Sequence, residues 1–333
     1  MKILIKTHSA TYLKDMRGLG NHISGYWNFL QYDCFKQLGH EVMFYGQRAI
    51  PDFVTDKHEG YDVLLCRGYN SLRSGETDFI TRGLKTFKGK KILYLEGTDE
   101  NNLGQYFDVV IVPETPVIAQ EWRVKYPNKN IKMLPWTSLM FDFIDKDTNN
   151  PYPNDGKYRS IFTGILIKRF LDGFIELAKR GENIVLGGLY YDGKTCRGFT
   201  GEEMKALPPT IQIINPHRGG IFTLGEHFPY LKHADLGLSP REHSGEWADR
   251  GSLSAKLIEY LCCGLPVVCE DATSNRQRVT EYNAGTIVPW KNVNAMYEAI
   301  QKEKALRRNK QEIQTKARAV HDPLKISKEM LEC

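Results

Sequence analysis

The sequence predicts an α/β protein of two doubly wound domains in succession, and three observations carry that expectation. Short β-branched runs alternate with longer helical patterns at the pitch of strand, helix, strand units. The alternation occurs twice along the chain. Between the two series lies a polar, proline-broken stretch, FDFIDKDTNNPYPNDGK (141–157), which fits neither periodicity.

The first series begins with a strand at Lys2–Lys6 and a helix near Asn21–Leu38 that places Ile23, Trp27, Leu30, Cys34 and Leu38 near one face. Gly39 stops that helix, and strands follow at Glu41–Phe44, Val63–Cys66, Ile92–Leu95, Val109–Val112 and Ile131–Leu134. Pro151 and Pro153 oppose any regular element in the break.

The second series has strands at Arg159–Thr163, Asn183–Leu186, Ile211–Asn215, Asp235–Leu238, Pro266–Cys269 and Thr286–Val288. Helices are expected over Phe170–Lys179, Leu224–Lys232, Ser254–Cys263 and Asn275–Tyr282, with two more between Val293 and Ala319. Pro323 sets off a short terminal segment, Leu324–Leu331. The expected division is a first domain at 1–143, a linker at 144–157 and a second domain at 158–321.

A chain of 333 residues, 41% hydrophobic and 26% charged, is long enough and apolar enough for two cores. Its formal charge of +5 suits an anionic ligand without calling for nucleic acid. The seven cysteines are scattered and form no C-x-x-C pair, so neither zinc nor redox chemistry is indicated and a reducing, cytoplasmic compartment is expected. The opening MKILIKTHSATYLKD is too briefly apolar for a signal segment, and no run approaches the ~18 apolar residues of a membrane span. There is no Asn-x-Ser/Thr acceptor site either, so nothing points to a secreted, glycosylated protein.

In open α/β sheets, ligands gather outside the carboxyl ends of strands, and two such domains facing one another create a cleft there. The stretch SLSAKLIEYLCCGLPVV, Ser252 to Val268, is the most informative. Ser254 and Ala255 are small residues opening a helix whose first amide groups offer donors and positive potential to a phosphate. Glu259 lies one turn inside, where an ionised carboxylate can accept two ribose hydroxyl protons. The alternative, an exposed glutamate paired with a lysine, is weakened by the flanking Leu257, Ile258, Leu261 and Cys262.

These residues, LIEYLCCGLPVVCED, resemble the donor-site motif of the family 4 retaining glycosyltransferases of GT-B fold. Gly18-Leu19-Gly20 before the first helix, LGHEV at Leu38–Val42, IFTG at Ile161–Gly164 and EYNAGTIV at Glu281–Val288 agree in order, so the resemblance spans almost the whole chain. It implies two Rossmann-like domains across a cleft, with the segment 322–333 packing back on the first. It also implies that Glu259 holds the nucleotide ribose.

Two departures stand out. The family's other glutamate, eight positions earlier, is replaced here by Gly251, leaving Glu242, Glu246 and Asp249 in the loop PREHSGEWADRG as the nearest acids, with Glu246 the candidate catalytic group. The family's arginine after the first glycine of the second domain is also missing, since Ile165 follows Gly164. Lys168 and Arg169 are the candidates to neutralise the leaving diphosphate, which is most of what glycosyl transfer needs; the plainer reading is a basic pair at a helix start. Arg250 and Lys256 are further cations near the helix start, and for Lys256 a phosphate contact and a salt bridge to Glu259 are both open.

Gly18 and Gly20 leave room for donor phosphate or acceptor against the backbone, flanked by Arg17, Asn21 and His22. His217 follows a strand and can touch base or phosphate, although a histidine there is more often a turn residue; Glu96 to Asp99 also end a strand, where a turn cap is the commoner explanation. Asp145-Lys146-Asp147 has the Asp-x-Asp form of a metal site but sits in the turn-rich break, and no metal or cofactor is expected.

The resemblance thus implies retaining transfer of a hexose from a nucleotide sugar, GDP-mannose favoured and UDP-glucose next, to a glycan or glycoprotein acceptor. Members encoded by large algal viruses are similar in character, which would place the protein in host cytoplasm. Two other readings stay open: a nucleotide-sugar epimerase of the same fold, and a DNA-modifying glucosyltransferase or nucleic-acid-binding module. The last would use the basic stretch Lys302–Arg318, whose interleaved acids read as a solvated face.

Overall fold

The computed structural model describes residues 1–6, 23–45, 54–67, 83–95, 103–137, 141–146, 148–214, 224–241 and 254–333. They fall into two compact units: the first contains the described residues of Met1–Gly20, Ser24–Met140 and Asp322–Cys333, the second those of Asn21–Ile23 and Phe141–His321.

The first unit is built on β1 (Lys2–Lys6), β2 (Glu41–Tyr45), β3 (Val54–Thr55), β4 (Val63–Arg67), β5 (Lys90–Tyr94), β6 (Val109–Pro113) and β7 (Asn130–Leu134). They form one parallel sheet in the order β3-β2-β1-β4-β5-β6-β7. Ile3, Leu4, Ile5, Leu64, Ile92, Val110 and Ile111 are at most 1% exposed, as the continuous apolar runs of a sheet covered on both faces require. Helix α1 (Ile23–Gln37) buries Leu30, Cys34 and Phe35 and ends in a glycine stop, with Gly39 at φ +81° and its N–H on the Lys36 carbonyl. Helix α2 (Pro116–Lys125), not evident from the sequence, buries Ile118, Ala119 and Trp122.

The second unit contains β8 (Arg159–Thr163), β9 (Leu166–Ile167), β10 (Asn183–Gly187), β11 (Tyr190–Tyr191), β12 (Cys196–Arg197), β13 (Ile211–Ile213), β14 (Leu236–Ser239), β15 (Val267–Glu270) and β16 (Gly285–Val288). Six make a parallel sheet in the order β13-β10-β8-β14-β15-β16, and β12-β11-β9 form a small separate sheet. The chain winds outward from β8 in one direction and then from β14 in the other, so the topological switch point lies between these two strands.

Helices of this unit are α3 (Asp142–Asp145), α4 (Lys168–Lys179), α5 (Gly201–Ala206), α6 (Leu224–His233), α7 (Ala255–Cys262), α8 (Thr273–Glu281), α9 (Val293–Leu306) and α10 (Lys310–Val320). Several starts are set by caps visible as residue types. Thr200 and Glu203 form a capping box on α5, while Asn292 and Asn309 cap α9 and α10.

The proline-broken stretch holds more structure than its sequence suggests. Helix α3 makes one turn there, Arg318 pairs with Asp145, and Tyr152 is buried with its hydroxyl donating to the Tyr230 carbonyl and its ring under the Arg159 guanidinium. Prolines prevent a long element, not a buried anchor. Helix α11 (Pro323–Glu332) starts with Asp322 capping the N–H groups of Leu324 and Lys325 and belongs to the first unit, where Lys90 donates to the Leu331 carbonyl.

One contact seats α7 on the sheet. The Tyr260 ring lies against β14 at Gly237, where an added Cβ would come within 2.5 Å of the ring. Its hydroxyl accepts from the Thr163 N–H at 2.8 Å and contacts the Thr163 hydroxyl at 3.1 Å. We expect Gly237→Ala to cost about 1–3 kcal/mol by overpacking. Tyr260→Phe, which leaves the buried Thr163 N–H unpaired, is expected to cost about 1–3 kcal/mol. Urea unfolding measures both, and wild-type midpoints for the two variants would refute this seat.

Candidate functional site

At the switch point β8 ends in Thr163-Gly164. Gly164 has φ +118°, and its N–H donates to the Gly187 carbonyl at the end of β10. Gly188, at φ +133°, is so close that an added Cβ would lie 1.9 Å from the Gly164 oxygen, so only glycine fits there. The two strand ends therefore meet backbone to backbone, and Ile165, where the resemblance implies an arginine, is 56% exposed.

Helix α7 brings its side chains to this edge. Ser254 is its N-cap, in extended conformation and without a side-chain cap bond, and its carbonyl accepts from Leu257 and Ile258. Ala255 and Lys256 form the first turn, ahead of the internal ladder. Leu257, Ile258, Tyr260 and Leu261 are at most 1% exposed, which fixes the rotation of the helix. Lys256 is consequently turned to the end of β8: its ammonium lies 4.5 Å from the Phe162 ring centre and 5.9 Å from that of Phe170. Its Cε would be the nearest neighbour of a Cβ at Gly164, at 3.6 Å.

Glu259, one turn after Lys256, is 5% exposed and has its Oε2 3.2 Å from Nε2 of His227 on α6. The hydrogen-bond partner of Glu259 is thus this histidine, while Lys256 is directed to the aromatic rings at the end of β8. His227, 3% exposed, is a site residue the sequence reading passed over. The signal was present: His227 shares the buried face of α6 with Phe228 and Leu231, and a histidine on an apolar face needs a polar partner.

Lys168 and Arg169 open α4 but go to different places. Lys168, with its side chain 75% exposed, pairs with both oxygens of Asp172 one turn later. Arg169 makes a two-pronged pair with Glu270 at 3.0 and 3.1 Å, its guanidinium between the rings of Phe170 and Trp290. Glu270, 1% exposed at the end of β15, also accepts the backbone N–H groups of Arg241 and Lys291. Four donors make a buried carboxylate tolerable, and they tie the ends of β14, β15 and β16 to α4. Beside this hub lies a cavity of about 490 Å³ lined among others by Arg169, Phe170, Phe174, Pro240, Glu270 and Met296.

The structure therefore gathers Gly164, Ser254, Ala255, Lys256 and Glu259 around β8 and α7, with Arg169 reaching the same edge through Phe170. Gly18, Gly20, His217, Glu246 and Arg250 lie outside the described residues, as do Arg17, Asn21, His22, Glu96 to Asp99, Glu242, Asp249 and Gly251. Of the Asp-x-Asp pattern, Asp145 lies on α3 against Arg318 and Asp147 is outside the described residues. Among the described residues no group of three or more His, Cys, Asp or Glu side chains is disposed to hold a metal ion. Glu270→Gln, which removes the charge opposite Arg169 and places an amide against two N–H donors, is expected to lower stability by about 3 kcal/mol. A urea midpoint equal to that of the wild type would show the hub to be dispensable.

Residues 201–303 match the family described as glycosyl transferases group 1. That span contains His227, Lys256, Glu259 and Glu270. No curated protein sequence matches the chain. Among solved structures, the chain is similar to sucrose-phosphate synthase from Thermosynechococcus elongatus, with TM-score 0.67 and 12% identity over 100% of this chain and 98% of that one. It is similar to HepE of Anabaena in complex with UDP and glucose, with TM-score 0.62 and 10% identity over 100% and 98%. An α-glucosyltransferase in complex with UDP and a 13-mer DNA containing an HMU base gives TM-score 0.60 and 15% identity over 100% and 98%. The chain has the GT-B fold of glycosyltransferases, and its residues 201–303 carry the glycosyl transferases group 1 match.

Proposed function

We propose that the protein is a glycosyltransferase that transfers a hexose from a nucleoside-diphosphate donor to a glycan or glycoprotein. The observation that carries this reading is the setting of α7: its first turn and Lys256 adjoin Gly164 at the switch point, and Glu259 lies one turn further in. Amide donors, a cation and a carboxylate in that order suit a diphosphate followed by a ribose. Lys256 supplies a cation at the end of β8, where Ile165 supplies none.

In this reading the charge that grows on the leaving diphosphate is met by Lys256, the α7 amide groups, and Lys168 and Arg169 after exchange with or alongside their carboxylate partners. Groups that bind more strongly as charge develops lower the barrier to transfer. Glu246, Arg250, His217, Gly18 and Gly20 keep the roles expected from sequence, and so do retention of anomeric configuration and action without a metal. GDP-mannose is the donor favoured by the sequence; UDP-glucose stands beside it, because one solved structure of the same fold is described in complex with UDP and glucose and another with UDP.

Nucleic acid is a weaker candidate for the acceptor. Several cations of α9 and α10 and the turn between them are paired locally, Lys304 with Glu182, Arg308 with Glu303, Lys316 with Glu312 and Arg318 with Asp145. No described helix is long and apolar enough to cross a membrane, and a cytoplasmic site of action remains part of the proposal.

Calorimetric titration with GDP-mannose, UDP-glucose, GDP and UDP, with and without a chelator, tests the reading. One base is expected to bind selectively, chelator-independently, and at least roughly tenfold more weakly to Glu259→Ala, the loss of a charge-assisted hydrogen bond. Absence of binding to all four ligands would overturn it.

A further inference from the structure

We propose that His227 is a positioning residue for donor recognition: it holds one oxygen of the Glu259 carboxylate so that the other meets the ribose. The inference rests on the reading that Glu259 faces the ribose and adds to it the residue that sets the carboxylate. Both side chains are nearly dry, at 3% and 5% exposure, and come from different helices, with 3.2 Å between Nε2 and Oε2.

An ionised carboxylate only accepts hydrogen bonds, so the contact assigns the Nε2 proton to His227. The ring has little freedom to leave. It stands edge-on to Phe228, with 5.2 Å between ring centres and an interplanar angle of 83°, on a helix anchored by the buried Phe228 and Leu231. On the other side, Leu257, Ile258, Tyr260 and Leu261 prevent α7 from rotating. Oε2 is thus engaged before any ligand arrives, and Oε1 carries the recognition. A carboxylate with both oxygens free would have to be oriented by the ligand itself, at a cost in conformational entropy.

The test compares affinities for GDP and UDP with those for their 2′-deoxy and 3′-deoxy forms, using whichever base the protein binds. The wild type is expected to prefer the ribose form over at least one of the deoxy forms by roughly tenfold or more, as a charge-assisted hydrogen bond implies. His227→Gln extends an amide N–H to the place of Nε2 and should keep most of that preference. His227→Asn, whose amide reaches only as far as Nδ1, should reduce it to within about twofold while leaving affinity for the deoxy forms unchanged. Both variants are polar and smaller than histidine, and their thermal unfolding is followed in parallel.

If His227→Asn keeps the ribose preference, or weakens ribose and deoxyribose forms alike, the positioning role is overturned while the donor site stands. If the wild type does not discriminate, or Glu259→Gln still does, Glu259 does not read the ribose and the proposal falls with that reading.

Discussion

The hydroxyl of Tyr260 is the contact on which the arrangement at the switch point depends. By accepting from the Thr163 N–H, it joins the end of β8 to the middle of α7, and the glycine at 237 lets the ring come close enough to do so. A helix fixed at one residue and packed on all sides from Leu257 to Cys262 has a single rotational setting. Lys256, four residues before Tyr260, then faces β8, and Glu259, one before it, faces α6. The setting of both side chains is inherited from the packing of a third.

Around this seat, charge is handled in two ways. Glu270, Glu182 and Glu303 are buried and each has a cation within ion-pairing distance, as the energetic cost of an isolated buried carboxylate demands. Lys168 and Asp172 form a pair in open solvent that contributes little to stability and is easily rearranged. The difference separates Arg169, whose guanidinium is part of the framework, from Lys168, whose ammonium is available to exchange one anionic partner for another.

The alternation of strands and helices was legible because parallel strands buried on both faces read as continuous apolar runs, and most strand positions agree within two residues. Glu259 could be singled out as a candidate from sequence because the small residues, the carboxylate and the glycine-proline turn follow one another in a single stretch of chain. The settings of His227 and Glu270 were not legible, because each is defined by a contact with a partner 32 and 101 residues away. The strands β9, β11 and β12 were missed for a simpler reason: two residues cannot show a period of two. Helix α3 and the buried Tyr152 were hidden by neighbouring prolines, which forbid long elements and say nothing of a single anchored turn.

Helix α11 gives the chain an order of assembly. It follows the second unit in the chain, yet it belongs to the unit that contains β1, and the bond from Lys90 to Leu331 spans 241 positions. During synthesis the described strands and helices of the second unit are made before this helix of the first. Domains emerging from a ribosome generally fold from the amino end. Here the sheet of the first unit is made before the second unit and α11 only after it, so the place where Lys90 meets Leu331 stays uncovered while the second unit is translated.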